Sequence, residues 1–174
     1  MKKHFLVITL IISSFMAFGD NVKDSYMKDL DAFKDHQFDK NQIKSFVYYW
    51  FSLHDVHADI NKSYALLDKD NLYMKFPEIT VKNLDDYKKW YDGVGTNIKS
   101  NLHYVKKLEV TFAGANKYTV NILVNWQAID KDGKFIDMDA TQEWTLVDPP
   151  SKDITHPLVQ KYLVLGFKDN SVGK

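Results

Sequence analysis

The chain has 174 residues, with 23 Lys and no Arg, 23 acids of which 20 are Asp, and no Cys; 45% of it is hydrophobic and 14% aromatic. This is the composition of one ordinary globular domain and excludes disorder and coiled coil. The absence of Arg excludes arginine fingers and bidentate guanidinium clamps, and zero net charge with no basic run longer than Lys88-Lys89 or Lys106-Lys107 excludes a nucleic-acid footprint.

Residues 1–19 read as a signal peptide. Met1-Lys2-Lys3-His4 is a basic start, Phe5 to Ile12 an apolar stretch, and Ala17-Phe18-Gly19 supplies small residues where a signal peptidase cuts. The apolar run stops at Ser13-Ser14, too soon for a spanning helix, which needs about 20 apolar residues. The expectation is export, cleavage before Asp20 and a periplasmic or secreted protein with no membrane insertion afterwards. With no Cys there is no thiol to lipidate. The mature chain then has 155 residues (174 less 19) and charge −2, since Lys2 and Lys3 leave with the signal. Without disulfides, burial of its aromatic rings has to carry stability.

Residues 20–38 form a lead-in segment in which Tyr26, Leu30 and Phe33 make a helical stripe. Asp39 with Gln42 is a capping box for a core helix from Lys40 to His54, with Ile43, Phe46, Val47, Trp50 and His54 on one face. A shorter helix carries Ile60, Tyr64 and Leu67, an extended run follows from Leu72 to Phe76, and Pro77 ends it. Asn83 caps a third helix bearing Leu84, Tyr87, Trp90 and Tyr91, with Gly93 and Gly95 expected to close it.

After Ser100 the period changes to two. Leu108, Val110 and Phe112 alternate with polar residues, as do Val120 to Ala128 and Met138 to Leu146, with turns at Gly114-Ala115-Asn116 and Asp132-Gly133. One-sided alternation is the mark of an antiparallel sheet packed on helices. Asp148 to Pro157 is a loop, and Leu158 to Phe167 is apolar on nearly every residue. That run is either a central strand covered on both faces or one with a face in a dimer interface. Residues 169–174 are a tail.

This order of elements over residues 39–168 resembles the NTF2-like superfamily, an α+β cone with N-terminal helices packed on a strongly bent antiparallel sheet. The resemblance rests on the aromatic helix Phe46 to Leu53, the helix-to-strand run Asp59 to Phe76, Asn101-Leu102-His103 before the sheet, Trp126 and Trp144. It is closest to the SnoaL-like branch with ketosteroid isomerases and scytalone dehydratase. In the isomerases a carboxylate base ends the first strand, where this chain has Tyr73-Met74-Lys75, and a protonated Asp donor falls near Gln142. The dehydratase-like members use His and Asp in the cavity, and the resemblance places His103 and Asp55 in those roles. Their second cavity His has no counterpart, since Asn125 and Trp126 occupy the segment.

The candidate catalytic pair is therefore His103 with Asp55: an Asp beside a His holds its tautomer and raises its basicity. The parity of His103 sets it on the face opposite Leu108, Val110 and Phe112 unless a bulge intervenes. The ligand-binding candidates are Trp50, His54, Tyr73, Trp90, Trp126, Gln142 and Trp144. His54 has a second reading as a helix C-terminal His, Gln142 has a second reading as a paired core amide, and the tryptophans have one as plain core. His54 with His57 is too thin for a metal site, and no metal or cofactor is expected.

The leading expectation is an exported domain that binds a small, largely apolar ligand in its cone, as a lyase or isomerase. The alternative is a noncatalytic, dimerising or partner-binding envelope protein. A homodimer is expected through the sheet face away from the helices, where Leu123 and one face of Leu158 to Phe167 would otherwise meet water.

Overall fold

The computed structural model describes residues 22–171, so the expected signal segment lies outside the described residues. The chain divides into two units, Met1–Asp35 and His36–Lys174. In the first, helix α1 spans 22–33. No helix among the described residues is long and apolar enough to cross a membrane.

The second unit begins with α2 (Lys40–Asp55), opened by the capping box: Asp39 Oδ1 accepts from the amides of Asn41 and Gln42, and Gln42 Oε1 accepts the Asp39 amide at 2.9 Å. Its buried face is Ile43, Phe46, Val47, Trp50, Phe51, Leu53 and His54. Next come α3 (Ile60–Tyr64), β1 (Tyr73–Lys75), β2 (Thr80–Val81) and α4 (Leu84–Asn97), the last capped by Asn83 through the Asp86 amide. Gly93 and Gly95 do not end α4. It runs through both to Asn97, and Gly95 admits the ring of His57, which would lie 2.3 Å from a Cβ there.

Four long strands complete the unit: β3 (Ile98–Phe112), β4 (Lys117–Asp130), β5 (Phe135–Val147) and β6 (Leu158–Asp169). The sheet order is β2-β1-β6-β5-β4-β3. It is mixed rather than wholly antiparallel, because β1 pairs parallel with β6. β6 is thus a central strand, buried at Leu158, Val159 and Tyr162 and exposed towards its end at Leu165 and Phe167.

Register shifts bend the sheet. In β3, Val105 pairs with Val124 and Lys107 with Leu123, so Lys106 is left over as a bulge. A second shift lies where Thr141 pairs Gly166 and Gln142 pairs Val164. The core fills the concave side, with Trp50, Trp144, Tyr87 and Met74 all 2% exposed or less between helices and sheet.

Candidate active site

Asp55 ends α2, one turn past Phe51, and His103 stands near the start of β3. The Lys106 bulge settles the parity of His103: Val105 and His103 face the helices together with Leu108 and Val110, although an even spacing separates neither pair of sets. Asp55 Oδ1 lies 2.5 Å from His103 Nδ1, and Asp55 Oδ2 also accepts the His103 amide at 3.3 Å. Phe51 stacks on the imidazole at 4.7 Å. A carboxylate facing Nδ1 makes that nitrogen the N–H donor, so Nε2 carries the lone pair of the neutral ring. It has no hydrogen-bond partner among the described residues.

His103 lines a cavity of about 160 Å³ between α2, α4 and the concave face of the sheet. The wall is mostly apolar, formed by Trp50, Phe51, Phe76, Trp90, Trp126 and Phe167 together with smaller aliphatic residues. His54 also lines it, but both its nitrogens are used: Nδ1 donates to the Trp50 carbonyl at 2.7 Å, which leaves Nε2 to accept the Tyr87 hydroxyl at 2.9 Å. Burial holds its pKa down, to about 4, against the smaller opposing pull of the Trp50 carbonyl. Asn101 is likewise used, donating to the His54 carbonyl at 3.3 Å and accepting the Trp126 indole N–H. Gln142 is buried and accepts the Trp144 indole N–H at 3.0 Å, and burial raises the Tyr162 hydroxyl above its ordinary pKa, the Gln142 amide opposing it.

Of the residues singled out from sequence, the structure brings His103, Trp50, His54, Trp90, Trp126 and Gln142 to one cavity, with Asp55 bonded to His103. Two fall elsewhere. Tyr73 is 37% exposed, paired with Lys161 outside the lining, because its neighbour Met74 takes the inward position of β1. Trp144 is fully buried behind the wall, in T-shaped contact with Trp50 at 5.8 Å and donating its indole N–H to Gln142. His54 has both ring nitrogens engaged and His57 stacks on Tyr91 at 4.3 Å; no group of three metal-ligating side chains occurs among the described residues. Sequence reading does not assign Phe51, Phe76, Asn101 or Tyr162 to the site. Asn101 carries a signal only as part of the pattern before the sheet, whereas Tyr162 sits in a run apolar on both faces and carries none.

No protein-family model matches the chain, and no curated protein matches it in sequence. Among solved structures it is similar to an NTF2-like superfamily protein of Salmonella enterica serovar Typhimurium, with TM-score 0.66 and 13% identity over 78% of this chain and 95% of that one. It is similar to the hexachlorocyclohexane dehydrochlorinase LinA-type3 of Novosphingobium barchaimii, with TM-score 0.62 and 14% identity over 78% and 91%. It is also similar to the CaMKII hub of S. rosetta, with TM-score 0.60 and 14% identity over 74% and 95%. These likenesses establish the fold as NTF2-like, as the resemblance to the SnoaL-like branch implied.

Proposed function

We propose that this NTF2-like domain takes up a compact, largely apolar molecule and removes a proton from it, acting as a lyase or isomerase with His103 as base and Asp55 as its partner. The observation that carries this reading is the 2.5 Å contact between Asp55 and His103 Nδ1, which turns the unprotonated nitrogen of a half-buried imidazole to an apolar cavity. Asp55 orients the ring and stabilises the imidazolium that forms on proton transfer, and proton transfer to His103 as general base contributes about 10²- to 10⁴-fold in rate. A cavity of about 160 Å³ is smaller than the several hundred expected of an open cone. Apolar cavities of about 150 Å³ hold benzene, so the ligand is the size of one substituted ring.

The test is a set of compact cyclic compounds incubated with the protein in deuterated buffer and followed by NMR. The expected result is exchange of a ligand C–H for deuterium by wild type and its loss in His103→Ala. Equal exchange by the two proteins would sink the base assignment.

Two further parts of the reading concern location and assembly. Export follows from the character of residues 1–19, and the mature protein starts at Asp20; intact Met1 on protein recovered from the cell envelope would overturn it. A homodimer forms through the sheet face away from the helices, which carries Leu102, Tyr104 and Leu123, the first two more than 40% exposed. A monomeric mass by light scattering at micromolar concentration would remove that part and leave the cavity chemistry standing.

A further inference from the structure

Burial grades the cavity wall from a deep end to a mouth. Trp50, His54 and Tyr162 are at most 7% exposed, whereas Asn101, Trp126 and Phe167 line the same cavity and are also reached by solvent. At the mouth the sheet register sets Trp126 opposite His103 and Ala128 opposite Asn101. Ala128 carries only a methyl, so no longer side chain of β4 stands between the Trp126 indole and Asn101, whose Oδ1 accepts the indole N–H. The orientation of the Asn101 amide is fixed from both sides. An indole N–H can only donate and a carbonyl can only accept, so Oδ1 faces Trp126 and the NH₂ faces the His54 carbonyl at 3.3 Å. Asn101 thereby clips the Trp126 ring to the last turn of α2, and the next residue of that turn, Asp55, bonds the amide and the imidazole of His103. A side chain held at its far end loses its rotamer freedom, and the Trp126 ring also lies 6.4 Å from that of Phe167.

We propose that Trp126, held by Asn101, sets the size limit of the cavity: a fixed shutter at the mouth that admits a one-ring compound and refuses a fused two-ring one. The proposal rests on the reading of the cavity as a ligand site and concerns which molecules fit, whatever is then done to them. The volume of about 160 Å³ is what remains with the ring in place. Of two homologous aromatic compounds, the larger buries more apolar area and binds the tighter wherever there is room for it. Preference for the smaller is therefore the mark of a wall that does not yield, where the strain of overpacking exceeds what the added burial contributes. Trp126 touches the ligand. Asn101 acts through Trp126 and is a positioning residue: without its oxygen the indole is free to swing outward, and the mouth widens with every ring still present.

The experiment titrates p-cresol and β-naphthol, both uncharged at neutral pH, into wild type and variants, with affinity read by ligand-observed NMR and folding checked by thermal melting. Wild type is expected to bind p-cresol about 10-fold tighter than β-naphthol. Trp126→Ala should reverse that order, β-naphthol gaining about 10-fold or more while p-cresol changes less than about threefold. Trp126→Phe should move the order the same way to a lesser degree, which keeps the test open if Trp126→Ala does not fold. Asn101→Leu keeps the size of the side chain and removes its polar atoms. It should bring the two compounds within about threefold of each other and speed solvent exchange of the Trp126 indole N–H, a change that loss of packing alone would not produce. Phe167→Ala, at the other partly exposed ring, should keep the wild-type order.

Equal affinity of wild type for the two compounds, or an unchanged order in both Trp126 variants, would overturn the shutter. Unchanged preference and unchanged N–H exchange in Asn101→Leu would overturn the clip, and a reversal in Phe167→Ala as large as that in Trp126→Ala would overturn the assignment to Trp126. Binding of neither compound by any of these proteins would remove the cavity as a ligand site. The wild-type order preserved in His103→Ala would leave the shutter standing even if His103 proved not to be a base.

Discussion

At one end of the four long strands the Tyr118 hydroxyl donates to Asp148 at 2.5 Å and accepts the Phe38 amide at 3.0 Å, while Asp148 takes the Gln37 amide at 2.9 Å and His36 lies over Phe112 at 4.5 Å. At the other end, where Trp126 and Phe167 flank the cavity, His103 Nε2 faces the cavity with no such closure. The strands are continuous between the two, so the contrast is not one of fold. It lies in whether buried polar groups find partners within the chain. A satisfied network rigidifies, whereas an unsatisfied group beside a cavity is held in readiness for a ligand.

The comparison is open to four tests. The largest effect is expected at the open end: His103→Gln should slow ligand proton exchange about 10³-fold and move the melting temperature by no more than a few degrees, measured by NMR exchange and calorimetry. A large loss of stability with exchange intact would make the dyad a structural pair like the one at Tyr118.

His54 comes next, a cavity residue built like the closed end. Its folded pKa, about 4, lies below the unfolded value near 6.5, so in between the unfolded chain binds a proton that the folded one excludes. Its contribution is complete above pH 6.5 and is lost as pH falls to 4, on the order of 3 kcal/mol. Chemical denaturation at pH 7, 5.5 and 4 should show this slope, and His54→Gln should flatten it.

At the closed end, Tyr118→Phe removes the acceptor of the Phe38 amide and one of the donors to the Asp148 carboxylate. It should cost about 1–3 kcal/mol in denaturant unfolding and leave exchange at the cavity unchanged. Coupling of Tyr118 to the exchange rate would show that the two ends are not independent.

The smallest effect belongs to Lys106→Ala. Lys106 Nζ meets both Asp139 oxygens, at 2.6 and 2.8 Å, and holds the Asp139 carboxyl below its ordinary pKa, yet the Lys side chain is 45% exposed. Exposed pairs contribute about 0–1 kcal/mol, so the variant should stay within that margin by the same unfolding measurement.

The helices were legible because their signals are local. Asp39 with Gln42 and Asn83 cap where the spacing of Phe46, Trp50 and Tyr87 demands. Gly93 and Gly95 misled because a glycine that ends a helix and one that admits a neighbouring ring look alike in sequence; the ring in question, His57, is 38 positions away. The long strands read clearly from their alternation, but the parallel pairing of β1 with β6 joins Met74 to Tyr162, a contact no local pattern encodes. The site was half legible. Asp55 and His103 came from resemblance, with the face of His103 contingent on a bulge that leaves no compositional mark. Tyr162 was hidden for the reason that β6 is central: where both sides of a strand are apolar, alternation no longer says which residue faces the cavity.

The bulge at Lys106 also bears on how such a site is gained and lost. One residue without a partner reverses the alternation of every position before it relative to every position after it, so a strand made regular at constant length would exchange His103 for Leu102 and Tyr104 on the inner face while Leu108 and Val110 stayed in place. Deletion of Lys106 itself would make Val105 and Lys107 neighbours opposite Val124 and Leu123 and leave His103 facing inward. In genetic terms, a descendant of equal length that had lost the bulge would keep every residue of the site and still turn its base out into the solvent.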